Sequence, residues 1–448
     1  MKLVANITRE ESLLRLIATG FFVFSISLAR AQDTTDITKL GGDLTSTLPR
    51  FGAIQVAAPN VTDLARRQYQ ASGFGTFHSV FLPSEGLGPS FVNRSCNGCH
   101  VNNGRGPARF SKTGNLGSTM VVKGSVRGRN PDGSPRPIPG IGEQLQEHLI
   151  NGKKTTSISL RWIPVPGRYP DGKKFTLRRP ELSVSLDERS TRGMLFSLRM
   201  TPALIGMGLL DALSDEAILE RADPSDVDGD GISGKPQYVI DARTKTKRLG
   251  KFGFRASHTT VEEQSAAAAF FDMGITNGLF SDATNSSELS DDSLDRLTVY
   301  LQLAGVPPAR DQASSTVIAG RNRFMALGCE SCHRMTMTTG DVAGAPELSN
   351  QTFHPFTDLL LHDMGPGLAD KRPEFEATGR EWRTSPLWGV GFSEQLSSVR
   401  PLYLHDGRAR NVEEAILWHG GEAESAKRGF MSLSEQERAE LIAFLRSL

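Results

Sequence analysis

The sequence predicts a mainly α fold: two small helical domains in tandem, with a β-hairpin insertion in the first. Three observations predict it. The pentapeptide Cys96-Asn97-Gly98-Cys99-His100 returns in form as Cys329-Glu330-Ser331-Cys332-His333. Each copy is followed by an Arg-x-x-Pro segment and then by a Glu-Glu helix start: Arg199 to Gly208 with Val261-Glu262-Glu263, and Arg383 to Gly391 with Val412-Glu413-Glu414. Within the first half, residues 117–190 give up helical spacing for apolar–polar alternation, joined by Asn-Pro-Asp-Gly and Tyr-Pro-Asp-Gly turns.

C-x-x-C-H is the attachment signature of c-type haem, so the two halves are expected to be cytochrome c-like haem domains. Two thiols add across the two vinyl groups of one porphyrin and must sit about one helical turn apart. The histidine that follows lies under the ring and supplies the proximal nitrogen to iron. All 4 cysteines of the chain fall in these two boxes. A structural zinc site is the rival for paired cysteines, but it gathers its ligands from a short stretch. Here the pairs start at 96 and at 329, and each runs straight into a histidine. Structural disulfides are the remaining alternative. The expectation is two covalently bound haem c groups, on Cys96 and Cys99 and on Cys329 and Cys332, with His100 and His333 as axial iron ligands.

Taken in order, the chain opens with Lys2, Arg9 and Arg15, broken by Glu10 and Glu11, and continues into the apolar run Leu16 to Ala29. Ala29-Arg30-Ala31 has the small-x-small form of a signal-peptidase site, so residues 1–31 are expected to be a signal peptide and the protein to reach the periplasm. The apolar run is short for a membrane span of roughly 20 residues, an uncleaved anchor being the alternative. No later segment is long and apolar enough, so no stable membrane insertion is expected. Residues 33–61 read as a polar arm and 65–78 as a helix. Gly86 to Asn93 is a Gly/Pro-rich approach to the first box, and glycines let a backbone pass close to a flat ring. Hairpin strands are expected around 120–126, 156–162 and 175–178, then a helix over 209–221. An Ala-rich helix follows Val261, and an amphipathic helix covers 290–304. Pro307-Pro308 marks the boundary between a first haem domain, 32–306, and a second, 307–448. A helix over 318–327 delivers the second box, and 433–448 closes the chain as a helix with Ser432 and Ser434 as cap candidates.

Asp226-Val227-Asp228-Gly229-Asp230-Gly231 has carboxylates at alternate positions and a glycine sixth, the front of a calcium loop. Its twelfth position is Gln237, where an EF-hand needs a bidentate Glu, so an EF-hand proper is not expected. A Ca2+ loop of another kind on Asp226, Asp228 and Asp230 stands beside a plain Asp/Gly turn. Lys and Arg total 51 against 50 Asp and Glu, a formal net charge of +1. Such a balance carries no electrostatic footprint for nucleic acid.

With these motifs in hand the chain resembles the di-haem c-type oxidoreductases, a family sometimes labelled thiol-oxidoreductase-like. More distantly it is similar to the bacterial di-haem cytochrome c peroxidases and to the di-haem enzyme that matures methylamine dehydrogenase. The likeness runs from about Gly86 to Leu448. It rests on the two boxes, Leu359-Leu360-Leu361-His362-Asp363-Met364-Gly365, Arg380 to Thr384, His405 to Arg410 and Glu413 to Gly421. The resemblance implies that the N-terminal haem meets peroxide while the C-terminal haem relays electrons from a small cytochrome c or copper protein. It maps the peroxidases' active-site glutamine onto Gln264. Their acidic residue falls nearest to Asp272, two positions off the family spacing. Their relay tryptophan corresponds to Phe254, which offers no indole. The sixth ligand of the C-terminal haem falls on His419, with His405 as a supporting neighbour. His78 and His148 are lone histidines without an assigned role. Two functions compete: a peroxidase-like enzyme and a pure electron-transfer cytochrome. A haem protein that senses or binds a metal ion is a weaker third.

Overall fold

The computed structural model describes residues 35–48, 51–107, 119–151, 156–187, 189–282, 286–395 and 401–448. The expected signal peptide, 1–31, lies outside the described residues. Helices form where a cap and an apolar face coincide. Leu64–His78 starts at Asp63, whose side chain accepts from the Arg66 amide at 2.7 Å. It crosses Asp291–Gln302, and the crossing is close: a Cβ on Gly73 would stand 1.9 Å from the Arg296 carbonyl oxygen. The last helix, Glu435–Ser447, begins with a reciprocal capping box of Ser434 and Glu437. It packs on Ser315–Ala326 through an equally close approach, Gly320 to the Glu440 carbonyl. The helix expected over 209–221 is two short ones, Met207–Asp211 and Asp215–Leu219. Ser214 restarts the second by accepting from the Ala217 amide.

The strands are more extensive than the sequence led us to expect. Met120–Arg129 pairs antiparallel with Met194–Met200, and Met120 lies opposite Met200. Thr156–Arg168 and Lys174–Leu186 form one long two-stranded hairpin in register from Thr156↔Leu186 to Arg168↔Lys174. Its tip reaches the C-terminal half. Tyr169 donates its hydroxyl to Glu413 at 2.6 Å, and Arg438 pairs with Asp171 at 2.8 Å while stacking over the Tyr169 ring. Further two- and three-residue pairings, such as Leu361–Asp363 with Glu381–Arg383, tie loops together.

The expected mainly α fold is therefore corrected. Helix accounts for 31% of the structure and strand for 22%, in several small sheets, which is a mixed architecture and not a mainly α one. The physical reason lies in the boxes themselves. Each is a single turn, Cys96–Cys99 as α-helix and Cys329–Ser331 as 3-10 helix, set in long stretches of loop and short strand. Strand pairs of two or three residues leave no readable periodicity in a sequence. The largest apolar core runs from Ile37 to Leu448 and draws on both halves, with smaller clusters under the 120–129 sheet and around Ala266, Met273 and Leu294.

Candidate functional site

At the first box, the Ser95 side chain accepts from the Gly98 amide at 3.0 Å and starts the one-turn helix Cys96–Cys99. That turn brings both thiols to one cavity of about 270 Å³, which His100 also lines. The His100 Nδ1–H donates to the Pro202 carbonyl at 2.9 Å, which assigns the proton to that nitrogen and leaves Nε2 as a free donor atom for a metal. Pro202 comes from the Arg199 to Gly208 segment. Burial pushes the imidazole down to about 4, so it stays neutral, and pushes the Cys96 thiol up to about 12. None of the four cysteines is in a disulfide.

The second box repeats this chemistry. The His333 Nδ1–H donates to the Phe356 carbonyl at 2.9 Å, and burial again holds the ring down to about 4. His419 does the same with the Ala415 carbonyl at 2.7 Å, freeing its own Nε2. Burial lowers its pKa, and it lies near enough to His333 for its charge to bear on that ring. These donor sets fit two haems: paired thiols one turn apart, a neutral imidazole with its outer nitrogen satisfied, and at the first box an apolar wall including Phe77, Leu297 and Leu301. They do not fit zinc. Among the described residues the only group of three or more His, Cys, Asp and Glu side chains whose ligand atoms all lie within 4.8 Å of one another is acidic and lies elsewhere.

Gln264 and Asp272 line the same cavity as Cys96, Cys99 and His100. They belong to one face of the helix Val261–Met273, where Gln264, Ala267, Ala268, Phe271 and Asp272 recur at helical spacing and all reach the cavity. The Asp272 carboxylate accepts a hydrogen bond from Gln144 Nε2. Burial raises its pKa, and its charge in turn acts on the Cys96 and Cys99 thiols, which places it toward the thiol side of the cavity. Phe254 lines the cavity too, as does Trp388, which packs at 5.7 Å on Phe353. Sequence reading missed Trp388 and His258 as members of this wall, because both come from loops without a period.

Other expected residues fall elsewhere. His405 is buried against Trp382, stacked at 3.5 Å, and its carbonyl accepts from Met200, a wall residue of the first cavity. Asp226 and Asp228 do come together, but with Asp223 in place of Asp230. Asp230 instead accepts from the Ile232 amide at 2.7 Å. This acidic loop is tied to the second box: Ser233 donates through Oγ to Glu422 at 2.6 Å, and Glu422 accepts from His362 at 2.6 Å.

His362 is the feature sequence reasoning left without a role. It is 3% exposed, 3.6 Å from Cys332 Sγ, and held by Glu422 on Nδ1 and by Asp358 on Nε2 at 2.9 Å. Burial opposes its charge, but Asp358, Cys332 and Glu422 outweigh burial and raise its pKa well above the usual value. The Leu359 to Gly365 motif signalled it. Its partner Glu422, distant in the chain, could not be paired with it from sequence.

A family model described as "Di-haem oxidoreductase, putative peroxidase" matches residues 127–287 and again residues 281–448, together well over half of the chain. The second stretch contains the box at Cys329 to His333 and also His419. No curated protein matches.

Proposed function

Since the chain belongs to the di-haem oxidoreductase family, we propose that it reduces a small oxidant such as peroxide at the first box. Its electrons come from a small cytochrome c or copper protein through the second box. The haems are covalently attached through Cys96 and Cys99 and through Cys329 and Cys332, in halves 32–306 and 307–448, and the protein works in the periplasm after loss of residues 1–31. The observation that carries this reading is that Gln264 and Asp272 line the same cavity as the first C-x-x-C-H turn.

Bound haem would supply the redox-active iron. The chain's own residues do the rest. His100 and His333 stay neutral and present Nε2, each steered by a backbone carbonyl. His419 presents a second Nε2 at the second box. Gln264 orients the oxidant by hydrogen bonding. Reducing one peroxide to two waters takes two electrons and two protons. Asp272, with its pKa raised by burial, takes a proton from one peroxide oxygen and returns it to the leaving one. Such acid–base help is worth about 10²–10⁴-fold. Apolar walls from Phe77, Phe252 and Phe271 keep bulk water from the cavity. Asp223, Asp226 and Asp228 hold Ca2+.

The test is an optical and EPR spectrum of each redox state with added peroxide. A high-spin ferric signal that disappears on peroxide addition is the expected result. Two unreactive low-spin haems would leave a pure electron carrier.

A further inference from the structure

Six cationic side chains line the first cavity, and two arginines among them have no carboxylate within 4.0 Å among the described residues. Arg199 and Arg255 are both paired with Asp370, at 3.2 and 2.8 Å. Lys251 donates to the Asp211 and Leu213 carbonyls with the Asp211 charge close by, and Lys123 lies over the Phe271 ring. Arg105 and Arg383 differ. Among the described residues Arg105 donates to the Leu402 and Leu404 carbonyls alone, at 2.8 and 2.9 Å. Among them Arg383 donates to the Gly253 and Thr384 carbonyls alone, at 2.8 and 3.1 Å. Neither stands within 4.0 Å of a carboxylate among the described residues. The charged or titratable groups acting on them are Tyr403 for Arg105 and Asp358 for Arg383.

A guanidinium has five N–H donors, and these bonds use two on each residue. Each arginine therefore keeps donors free, and both line the cavity. Carbonyl dipoles orient a guanidinium but do not neutralise it, and once the cavity is filled and its water displaced, a cation there without a counter-charge is strongly unfavourable. Burial pushes both groups down to about 10, still far above neutrality, so both remain charged. The missing counter-charge must arrive with whatever fills the cavity. Planar, forked donors match carboxylates best. A haem carries two propionates, and two arginines wait.

We propose that Arg105 and Arg383 form a carboxylate-binding pair that receives the two propionates of the first haem and so fixes how the ring is seated. This rests on the haem reading of the first box. It goes beyond that reading by naming what holds the side of the ring that carries no thioether. An exogenous small anion is the other source of the same chemistry.

The experiment uses the holo-protein and its Arg105→Gln, Arg383→Gln and double variants, with the haem kept in place by its thioethers. The midpoint potential of each haem is followed from pH 4 to pH 8. Removing a cation beside a propionate disfavours the added electron, so the first haem's potential falls in each variant and falls further in the double. The released propionate also takes up a proton on reduction. The first haem's potential therefore gains a downward slope with rising pH that is flatter in the parent. Asp272, Glu374, His100 and His258 line the cavity in parent and variants alike and cancel in the comparison. The second haem's potential stays put. Unchanged potential and slope at the first haem overturn the proposal. A second arm adds acetate or phosphate to the parent protein, where no saturable change in the first haem's spectrum is expected. A saturable change that the variants lose shows that the arginines serve an exogenous anion, and overturns the proposal as well. Intact mass keeps the two readings apart: a parent without haem on Cys96 and Cys99 sinks the box reading first, and this pair with it.

Discussion

His362 shows how much one residue can carry. The buried Asp358 carboxylate, the partly buried Glu422 carboxylate and a cysteine sulfur hold it as a cation beside the second box. Its folded pKa is raised, so its stabilisation is fully present below the unfolded value of about 6.5 and is lost as pH rises through the raised folded value. Glu422 works in the opposite direction. Burial pushes it up, but His362 and Ser233 outweigh that and hold it down to about 2. Its contribution is present above about 4.3 and is lost as pH falls through about 2. His362→Gln is expected to cost about 3–5 kcal/mol, as when one member of a buried ion pair is removed. Thermal unfolding against pH should show the widest gap between parent and variant at about pH 5–6.5, narrowing on both sides. A gap constant across pH would mean that His362 acts by packing alone. At the first box, Asp272→Asn is expected to lower peroxide turnover about 10²-fold or more while both haem spectra stay as in the parent. The boxes were legible here because they are local patterns, whereas Asp272 was mapped by resemblance, two positions off the family spacing. The His362–Asp358–Glu422 grouping was not legible, because Glu422 reaches His362 only through the fold.

Among the elements, the close helix crossings and the long hairpin matter most. Gly320 lets Ser315–Ala326, the helix that delivers the second box, lie against the last helix with no side chain between. Gly320→Ala would put a Cβ 2.0 Å from the Glu440 carbonyl, and neither backbone can yield cheaply. A loss of about 1–3 kcal/mol is expected from overpacking, read as a lower unfolding temperature. The hairpin Thr156–Arg168 and Lys174–Leu186 bonds through its tip to Glu413, Glu435 and Arg438. A double-mutant cycle of Tyr169→Phe with Arg438→Ala should give a coupling of about 0.5–3 kcal/mol in chemical denaturation. Additive effects would mean the tip only rests on the surface. Strand alternation announced this hairpin, but nothing local told where its tip would dock.

Across the whole molecule, the acidic loop changes its allegiance. In the chain it lies between the Arg199 segment and Phe254, both of which line the first cavity. Its hydrogen bonds run instead through Ser233 and Glu422 to His362 and Cys332. If the loop takes Ca2+ as proposed, chelation should disturb the second haem's spectrum before the first, and Asp228→Ala should do the same without chelator. Disturbance of the first haem alone would break this link.

The sequence by itself determined the two C-x-x-C-H turns, their histidines, the capped helices and the alternating hairpin strands. All of these are written within a few residues of one another and need only local backbone geometry. Tertiary structure decided the rest. It set the balance of helix and strand through pairings of two or three residues that no period announces. It chose Asp223 over Asp230, moved His405 to the Trp382 stack, and gathered Arg105 and Arg383 at one cavity from distant parts of the chain. Charge neutralisation and burial act between groups close in space, and chain order does not record which groups those are.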